Sequence, residues 1–391
     1  MTEVELPEPG RSAAPTMAYG VGAVEQMPRI VQELGATRVL LVCGRTSFEA
    51  SGAARMLPAL EQHANVRRWS EFLPNTDSAD LSVGLDVLRE HRPDLILGIG
   101  GGSALDMAKL LVSFTEASPD NVVSEIEAGY KATSRPVRLV LAPTTSGSGA
   151  EATHFAVVYV GDDKHSIGGP AMRADAIVLD PGLTLSGSAY QRATSGIDAV
   201  TQAIESLWAV GATDRSRRFA RHALRLLLPA IETYVNDPDE AAARAMAIGS
   251  HLAGRAIDIS KTTAAHALSY GITKGYGVSH GHAVALTLGA FIEEHAKTPP
   301  ERLQAGVSPE THETQMGLIL RLLEAPDGPG GKARFEQLLE RLGLPTRLED
   351  VGICSQAARE RLSGSVNSDR LGNNPVRFEV SDLADLLSSG G

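Results

Sequence analysis

The sequence predicts an α/β domain over residues 1–185 and an all-helical domain over residues 186–391. Two observations carry this reading. Short apolar runs that end at glycine or proline alternate with helical patterns up to Asp180-Pro181, whereas beyond Ser188 only long 3.6-period segments occur, with no convincing strand. Arg38–Cys43 (RVLLVC) is a β-branched and leucine-rich run stopped by Gly44, as expected of a strand buried on both faces. A helical stretch follows through Met56–Gln62. Asp94–Ile99 (DLILGI) is a second strand, stopped by three glycines, and Arg138–Ala142 (RLVLA) is a third, stopped by Pro143. Strand, glycine turn, helix, strand is the pattern of a doubly wound sheet. In the second half Ser216–Val235 and Glu240–Ile257 read as amphipathic helices, and Pro299-Pro300, Ala325–Gly331 and Gly343–Pro345 punctuate the helical run. The Gly/Pro tract Pro326–Gly331 reads as a loop.

Composition narrows the function classes. The 391 residues include 36 Lys and Arg against 47 Asp and Glu, a formal charge of −11, with no compensating basic run. That balance argues against general binding to nucleic acid or anionic membranes, so any anionic ligand must be held by a local cluster of cations or backbone N–H groups. At 43% hydrophobic and 21% charged the chain is an ordinary globular protein rather than a disordered one. Cys43 and Cys354 form neither a disulfide framework nor a CxxC pair. The N-terminus (MTEVELPEPGRSAAPTMAYG) is acidic and lacks the apolar run of a secretory signal, and no stretch reaches the roughly 18–20 apolar residues of a membrane span. The expectation is a cytoplasmic protein in a reducing compartment.

Two small-residue turns and one histidine-rich stretch carry the chemistry. Gly98-Ile99-Gly100-Gly101-Gly102-Ser103 follows a predicted strand and opens a helix through Asp106 and Lys109. Such glycines let the backbone approach a pyrophosphate at a helix N-terminus, although the spacing alone also fits a tight strand–helix turn. Pro143-Thr144-Thr145-Ser146-Gly147-Ser148-Gly149 follows another strand, and its hydroxyls suit phosphates or a ribose at the same sheet edge. In the helical half, Asp198 and Gln202 stand at i and i+4 on one helix face, and His266, His280 and His282 fall within seventeen residues. A carboxylate, an amide oxygen and two imidazoles would suit a divalent Fe, Zn, Mn or Co ion. Hydrogen-bonded or surface histidines would produce the same spacing.

Four motifs in order, Gly100–Lys109 (GGGSALDMAK), Pro143–Thr153 (PTTSGSGAEAT), Gly196–Glu205 (GIDAVTQAIE) and His266 to His280-Gly281, resemble those of the iron-containing, or group III, alcohol dehydrogenases, from about Met17 to Asn374-Pro375. Ser260–Leu288 and Val366–Pro375 are more narrowly similar to the phosphonoacetaldehyde reductases within that family. The resemblance implies the fold shared with dehydroquinate synthases: an N-terminal dinucleotide-binding domain, a helical metal-binding domain and an active site in the cleft between them. It implies Asp198, Gln202, His266 and His280 as metal ligands. Gln202 stands where the family usually has His, which makes the site harder and weaker, and Tyr270 stands where the family commonly has a supporting, non-ligand His four residues after His266. The implied chemistry is hydride transfer from a reduced nicotinamide to a metal-polarised aldehyde, with Tyr270 or His282 in the proton path.

The remaining expectations concern what is bound. The turn after the first predicted strand, Gly44-Arg45-Thr46, has no acid to hold an adenosine ribose, and Arg45 could hold a 2′-phosphate, which favours NADPH over NADH. With it, Asn75, Gly100, Gly101, Gly102, Ser103, Asp106, Thr144, Thr145 and Ser148 make up the expected dinucleotide contacts. Lys261, Thr262 and Arg370 are the candidates to hold a phosphonate dianion, with Arg377 also in the tail. The reading is a reductase of phosphonoacetaldehyde, yielding 2-hydroxyethylphosphonate, with Fe(II) or Zn(II). The expected partner is that small molecule, with no nucleic acid or membrane, and helical faces of the second domain could pair in a homodimer. Alternatives are a general alcohol dehydrogenase acting on an uncharged alcohol, or a metal-free binding protein on the same fold.

Overall fold

The computed structural model describes residues 15–130, 133–161, 163–366 and 368–389. The acidic N-terminal stretch 1–14 and Asn367 of the tail motif lie outside the described residues. The chain divides into two compact units, Met1–Gly187 and Ser188–Gly391.

The first unit is built on a parallel sheet of β1 (Thr16–Tyr19), β2 (Arg38–Cys43), β3 (Asn65–Trp69), β4 (Leu95–Gly100), β5 (Arg138–Pro143) and β8 (Ala176–Leu179), in the order β1-β8-β5-β4-β2-β3. A separate antiparallel hairpin pairs β6 (Phe155–Val160) with β7 (Asp163–Gly168). The continuous apolar character of the central strands has a direct cause. Leu40 and Val42 of β2 enter one core with Ile96, Leu139 and Leu141. Val39 and Leu41 enter a second core with Leu97, Val140 and Ala142 on the other face. Both faces of the pleat are covered, so beyond the arginines that open β2 and β5 every position of these strands is buried and apolar. The predicted Arg38–Cys43 strand is observed at those bounds, and the other two predicted strands are observed within one residue of theirs. The predicted Met56–Gln62 helix is a single short turn, Leu57–Glu61, preceded by a 3-10 turn.

After β2 the chain moves outward to β3 and then returns to the other side of β2 to form β4. The carboxyl ends of β2 and β4 therefore flank the point where the winding reverses, which is where open α/β sheets bind ligands. Gly44 lies just beyond β2, and Gly100 closes β4 before the Gly102–Ser113 helix. At Gly100, with φ +157°, an added Cβ would sit 2.7 Å from Ala104 Cβ, so this turn cannot carry a side chain.

The second unit is helical. No strand longer than the isolated Leu303–Val376 bridge occurs among its described residues. Ala189–Trp208, Asp214–Asn236, Glu240–Ser260, Ala264–Tyr276 and His280–Lys297 are its central helices. Their starts are specified locally: Ser188 with Gln191 and Thr213 with Ser216 form capping boxes, and Asp239 accepts from Ala242 N at 2.7 Å. The Pro326–Gly331 tract differs from its expected loop, because Gly328–Arg341 is a helix. Asp327 caps it through Gly330 N at 2.8 Å, and Pro329 falls in the first turn, where a missing N–H is harmless. Among the described residues no helix is long and apolar enough to cross a membrane.

Gly281, at the start of the His280–Lys297 helix, lets that helix meet Ala189–Trp208 at backbone distance. A Cβ there would overlap Thr194 O and lie 2.6 Å from Asp198 Cβ. Gly281→Ala should therefore cost about 1–3 kcal/mol of stability. It should also displace His280 from Asp198, read as a lower urea midpoint together with a loss of bound divalent ion in a metal assay.

Candidate active site

Asp198, Gln202 and Glu205 stand at i, i+4 and i+7 of the Ala189–Trp208 helix and so share one face. All three are buried. His266 comes from the first turn of Ala264–Tyr276, and His280 opens the next helix. One ligand atom each from Asp198, His266 and His280 lies within 4.8 Å of the others. His266 Nε2 is 3.5 Å and His280 Nε2 4.0 Å from Asp198 Oδ1.

The hydrogen bonds orient each group. Gln202 donates its amide to Asp198 Oδ2 at 3.0 Å, which leaves Oε1 buried and without a hydrogen-bond partner. Glu205, 0% exposed, accepts from Thr263 N at 3.1 Å, Thr263 Oγ1 at 2.8 Å, Ala265 N at 3.0 Å and His266 N at 3.3 Å, and it also engages His266 Nδ1. It caps the Ala264–Tyr276 helix and at the same time holds the His266 proton on Nδ1, so that Nε2, which has no hydrogen-bond partner, faces Asp198. Ser269 Oγ, 3.3 Å from His280 Nδ1, orients the second imidazole in the same way.

The electrostatics fit a cation. Burial would raise the pKa of Glu205, but His266 and the Thr263 donors outweigh it and hold it low. Burial likewise opposes charge on His266, yet Glu205 and Asp198 raise its pKa to about 9. A centre that stabilises positive charge this strongly, with orphaned Gln202 Oε1 and His266 Nε2 beside a carboxylate, offers the mixed N/O donor set of a divalent transition ion. Asp198 and Glu205 together would offset its two positive charges.

The other predicted residues distribute unevenly. Tyr270 is half-buried with its ring stacked 6.3 Å from that of His280, and Arg370 donates a hydrogen bond to its phenol oxygen. Tyr270 and Arg370 therefore converge beside the histidines. His282 does not, since two positions after His280 it leaves the far side of the helix, where it is buried with Nε2 2.8 Å from Pro345 O. Burial lowers its pKa, and its place is structural. Lys261 ends the Glu240–Ser260 helix in a left-handed conformation (φ 60°) with Nζ 3.3 Å from Asp258 O. Thr262 is buried, and its carbonyl is held by Asn373 Nδ2 at 2.9 Å.

In the α/β unit the two small-residue turns meet. A Cβ on Gly101 would lie 3.6 Å from Thr145 Oγ1 and one on Gly102 3.1 Å from Ser148 Oγ. Thr144 N donates to Gly100 O at 2.9 Å, and Asn75 N donates to Ser103 Oγ at 3.1 Å. Gly44 N reaches Ile99 O at 3.4 Å. Arg45 and Thr46 are exposed at the end of β2. Asp106 is turned elsewhere: its Oδ2 accepts from Val157 N at 3.0 Å, and its Oδ1 is 3.8 Å from the buried Lys109. Burial raises its pKa against the pull of Lys109. The sequence reading missed Glu205 and Ser269 as orienting groups, and also Arg68, which pairs with Glu49 at 2.7 Å and reaches Arg45 O at 3.4 Å. Glu205 had one available signal, its i+7 spacing from Asp198.

Glu205→Gln should weaken binding of Co²⁺ or Zn²⁺ by roughly 10–100-fold, because the amide no longer fixes the His266 tautomer with a charge. Calorimetric titration of metal into wild type and variant measures this, and equal affinities would remove Glu205 from the site's support.

Comparison with known proteins gives the family. Residues 14–181 match the family described as iron-containing alcohol dehydrogenase, and residues 192–390 match the C-terminal part of the same family. The chain is 34% identical over 312 residues to a phosphonoacetaldehyde reductase of Streptomyces viridochromogenes, covering 77% of each chain. It is 27% identical to long-chain-alcohol dehydrogenase 1 of Geobacillus thermodenitrificans, over 96% of this chain and 95% of that one. In fold it superposes on the sulfoacetaldehyde reductase of Bifidobacterium kashiwanohense with a TM-score of 0.85 at 24% identity, over 100% of this chain and 99% of that one. The chain therefore belongs to the iron-containing alcohol dehydrogenase family and is an NAD(P)-dependent alcohol dehydrogenase or aldehyde reductase.

Proposed function

We propose that the protein reduces phosphonoacetaldehyde to 2-hydroxyethylphosphonate, using NADPH and a divalent Fe or Zn ion. One observation carries the substrate class: the Arg370 guanidinium is held on the Tyr270 phenol, whose ring stacks beside that of His280. A neutral aldehyde has no use for a guanidinium there, whereas a phosphonate dianion in a chain of net charge −11 requires one. The 34% identity to a phosphonoacetaldehyde reductase supports the same class.

Asp198, Gln202, His266 and His280 would hold the ion. When bound, the ion would supply Lewis-acid polarisation of the aldehyde oxygen, and the nicotinamide would supply the hydride. The chain's own residues do the rest. Glu205 and Ser269 keep both imidazoles aimed at Asp198. Burial raises the Tyr270 pKa, with Arg370 pulling it back, so the phenol keeps its proton at neutral pH and can donate it towards the product oxygen. Arg45, exposed beside Arg68 at the end of β2, supports the preference for a 2′-phosphate.

With metal-reconstituted enzyme, NADPH oxidation should be far faster with phosphonoacetaldehyde than with propanal. Arg370→Ala should raise KM for the phosphonate at least about tenfold, with propanal turnover little changed; equal effects on both substrates would discard the phosphonate site and leave a general aldehyde reductase. Arg45→Ala should raise KM for NADPH and leave that for NADH unchanged, and a parallel rise in both would place the 2′-phosphate elsewhere.

A further inference from the structure

We infer that the helical unit carries a second anion site, separate from the metal-ligand cluster, that takes a small molecule bearing a diphosphate group. A surface cavity of about 420 Å³ lies between the Asp214–Asn236 and Pro309–Leu322 helices. That size is within the ordinary range of small-molecule sites. Arg217, Arg218 and Arg221 line it from one helix and Arg321 from the other, with Asp214 as the one acid. Four guanidiniums less one carboxylate leave a formal +3 in a chain whose net charge is −11.

These cations are not neutralised by the protein. Among the described residues Arg218, Arg221 and Arg321 have no hydrogen bond or ion pair from their side chains. Arg221 Nε is shielded from solvent and still lacks a partner. Arg217 has only a 3.9 Å approach to Asp214, which is itself 99% exposed, and a bond from Nε to Leu207 O at 3.3 Å. Elsewhere in the helical unit the chain does pair arginines, as Arg341 with Glu232 at 2.7 Å and Arg244 with Glu240 at 2.6 Å. Room for the fourth guanidinium is provided by Gly317, where a Cβ would come within 3.3 Å of Arg321 Nη1.

Like charges gathered this closely repel one another, and a polyanion reverses the sign of that energy. The planar forks favour phosphoryl oxygens, which they bind two at a time. A diphosphate carries close to the three negative charges that the lining lacks, whereas a single carboxylate supplies one. Arg217 connects the cavity to the last turn of Ala189–Trp208, the helix that carries Asp198 and Gln202, so an occupant would bear on the metal helix through the Leu207 carbonyl.

Equilibrium dialysis with inorganic pyrophosphate, orthophosphate and ADP tests this on the full chain. Pyrophosphate should bind more tightly than orthophosphate, and loosen as ionic strength rises from about 0.05 to about 0.3 M. Both Arg218→Gln/Arg221→Gln and Arg321→Gln should weaken it at least about tenfold while KM for the dinucleotide stays unchanged. Tighter binding of ADP than of pyrophosphate, lost in the same variants, identifies a nucleoside diphosphate; equal binding identifies the free diphosphate. If the double variant melts early, the exposed Arg321→Gln variant carries the test. Pyrophosphate affinity that survives these substitutions, or that merely equals orthophosphate affinity, overturns the proposal.

Discussion

The Glu205 carboxylate is the constraint on which the helical unit's chemistry depends. It is fully buried and reaches across 58 residues of sequence to Thr263 and 61 to His266. An isolated buried carboxylate is strongly unfavourable, and removing the partners of one costs about 3–5 kcal/mol, so its donors must stay in place. Those donors are the first-turn amides of the Ala264–Tyr276 helix and the His266 ring. Trp208 Nε1 adds a bond to Thr263 Oγ1 at 3.0 Å, fixing the hydroxyl that bonds Glu205. One charge thus caps a helix, selects a tautomer and places Nε2 opposite Asp198.

The α/β unit solves a different problem by different means. It has few charges at its glycine turns and relies on backbone. The absence of side chains at Gly100, Gly101 and Gly102 brings the β4 turn against Thr145 and Ser148 of the neighbouring strand's turn. Helix N-terminal amides and hydroxyls then offer neutral donors to a diphosphate without the expense of desolvating cations. Lys109 and Asp106, which follow the turn in sequence, serve the scaffold: Lys109 Nζ donates to Thr153 Oγ1 at 2.7 Å and Phe155 O at 2.9 Å, tying the helix to β6.

What was legible in the sequence follows from what each signal requires. β2, β4 and β5 are buried on both faces, and their apolar runs are unmistakable. β3 escaped notice because it is a sheet edge with Arg67 and Arg68 at its centre, and charge on an edge strand is protective rather than anomalous. β1 and β8 are four residues each, too short for a period to register. The Gly/Pro tract near 328 has the composition of a loop, yet the cap that Asp327 provides makes it the start of a helix. In the site, the ligand types and their spacing could be read, as could the two turns. The supporting groups could not, since Glu205, Ser269 and Arg68 act through contacts that exist only once distant segments meet.

The distribution of arginine gives the final step. Many surface arginines here are matched by acids, as Arg302 is by Glu294 at 3.2 Å and Asp382 at 3.0 Å, and such exposed pairs add little stability. In a chain with an excess of acid, a guanidinium left unmatched is surrounded by surface that would readily supply a partner. Arg218, Arg221 and Arg321 lack one among the described residues. Leaving these charges unmatched sacrifices nothing that a surface ion pair would have contributed, while each keeps its full field for an incoming anion. The acidic background sharpens that field by repelling anions elsewhere on the surface, so a cluster of unmatched cations, rather than the net charge, determines where side chains alone can hold a phosphoryl group.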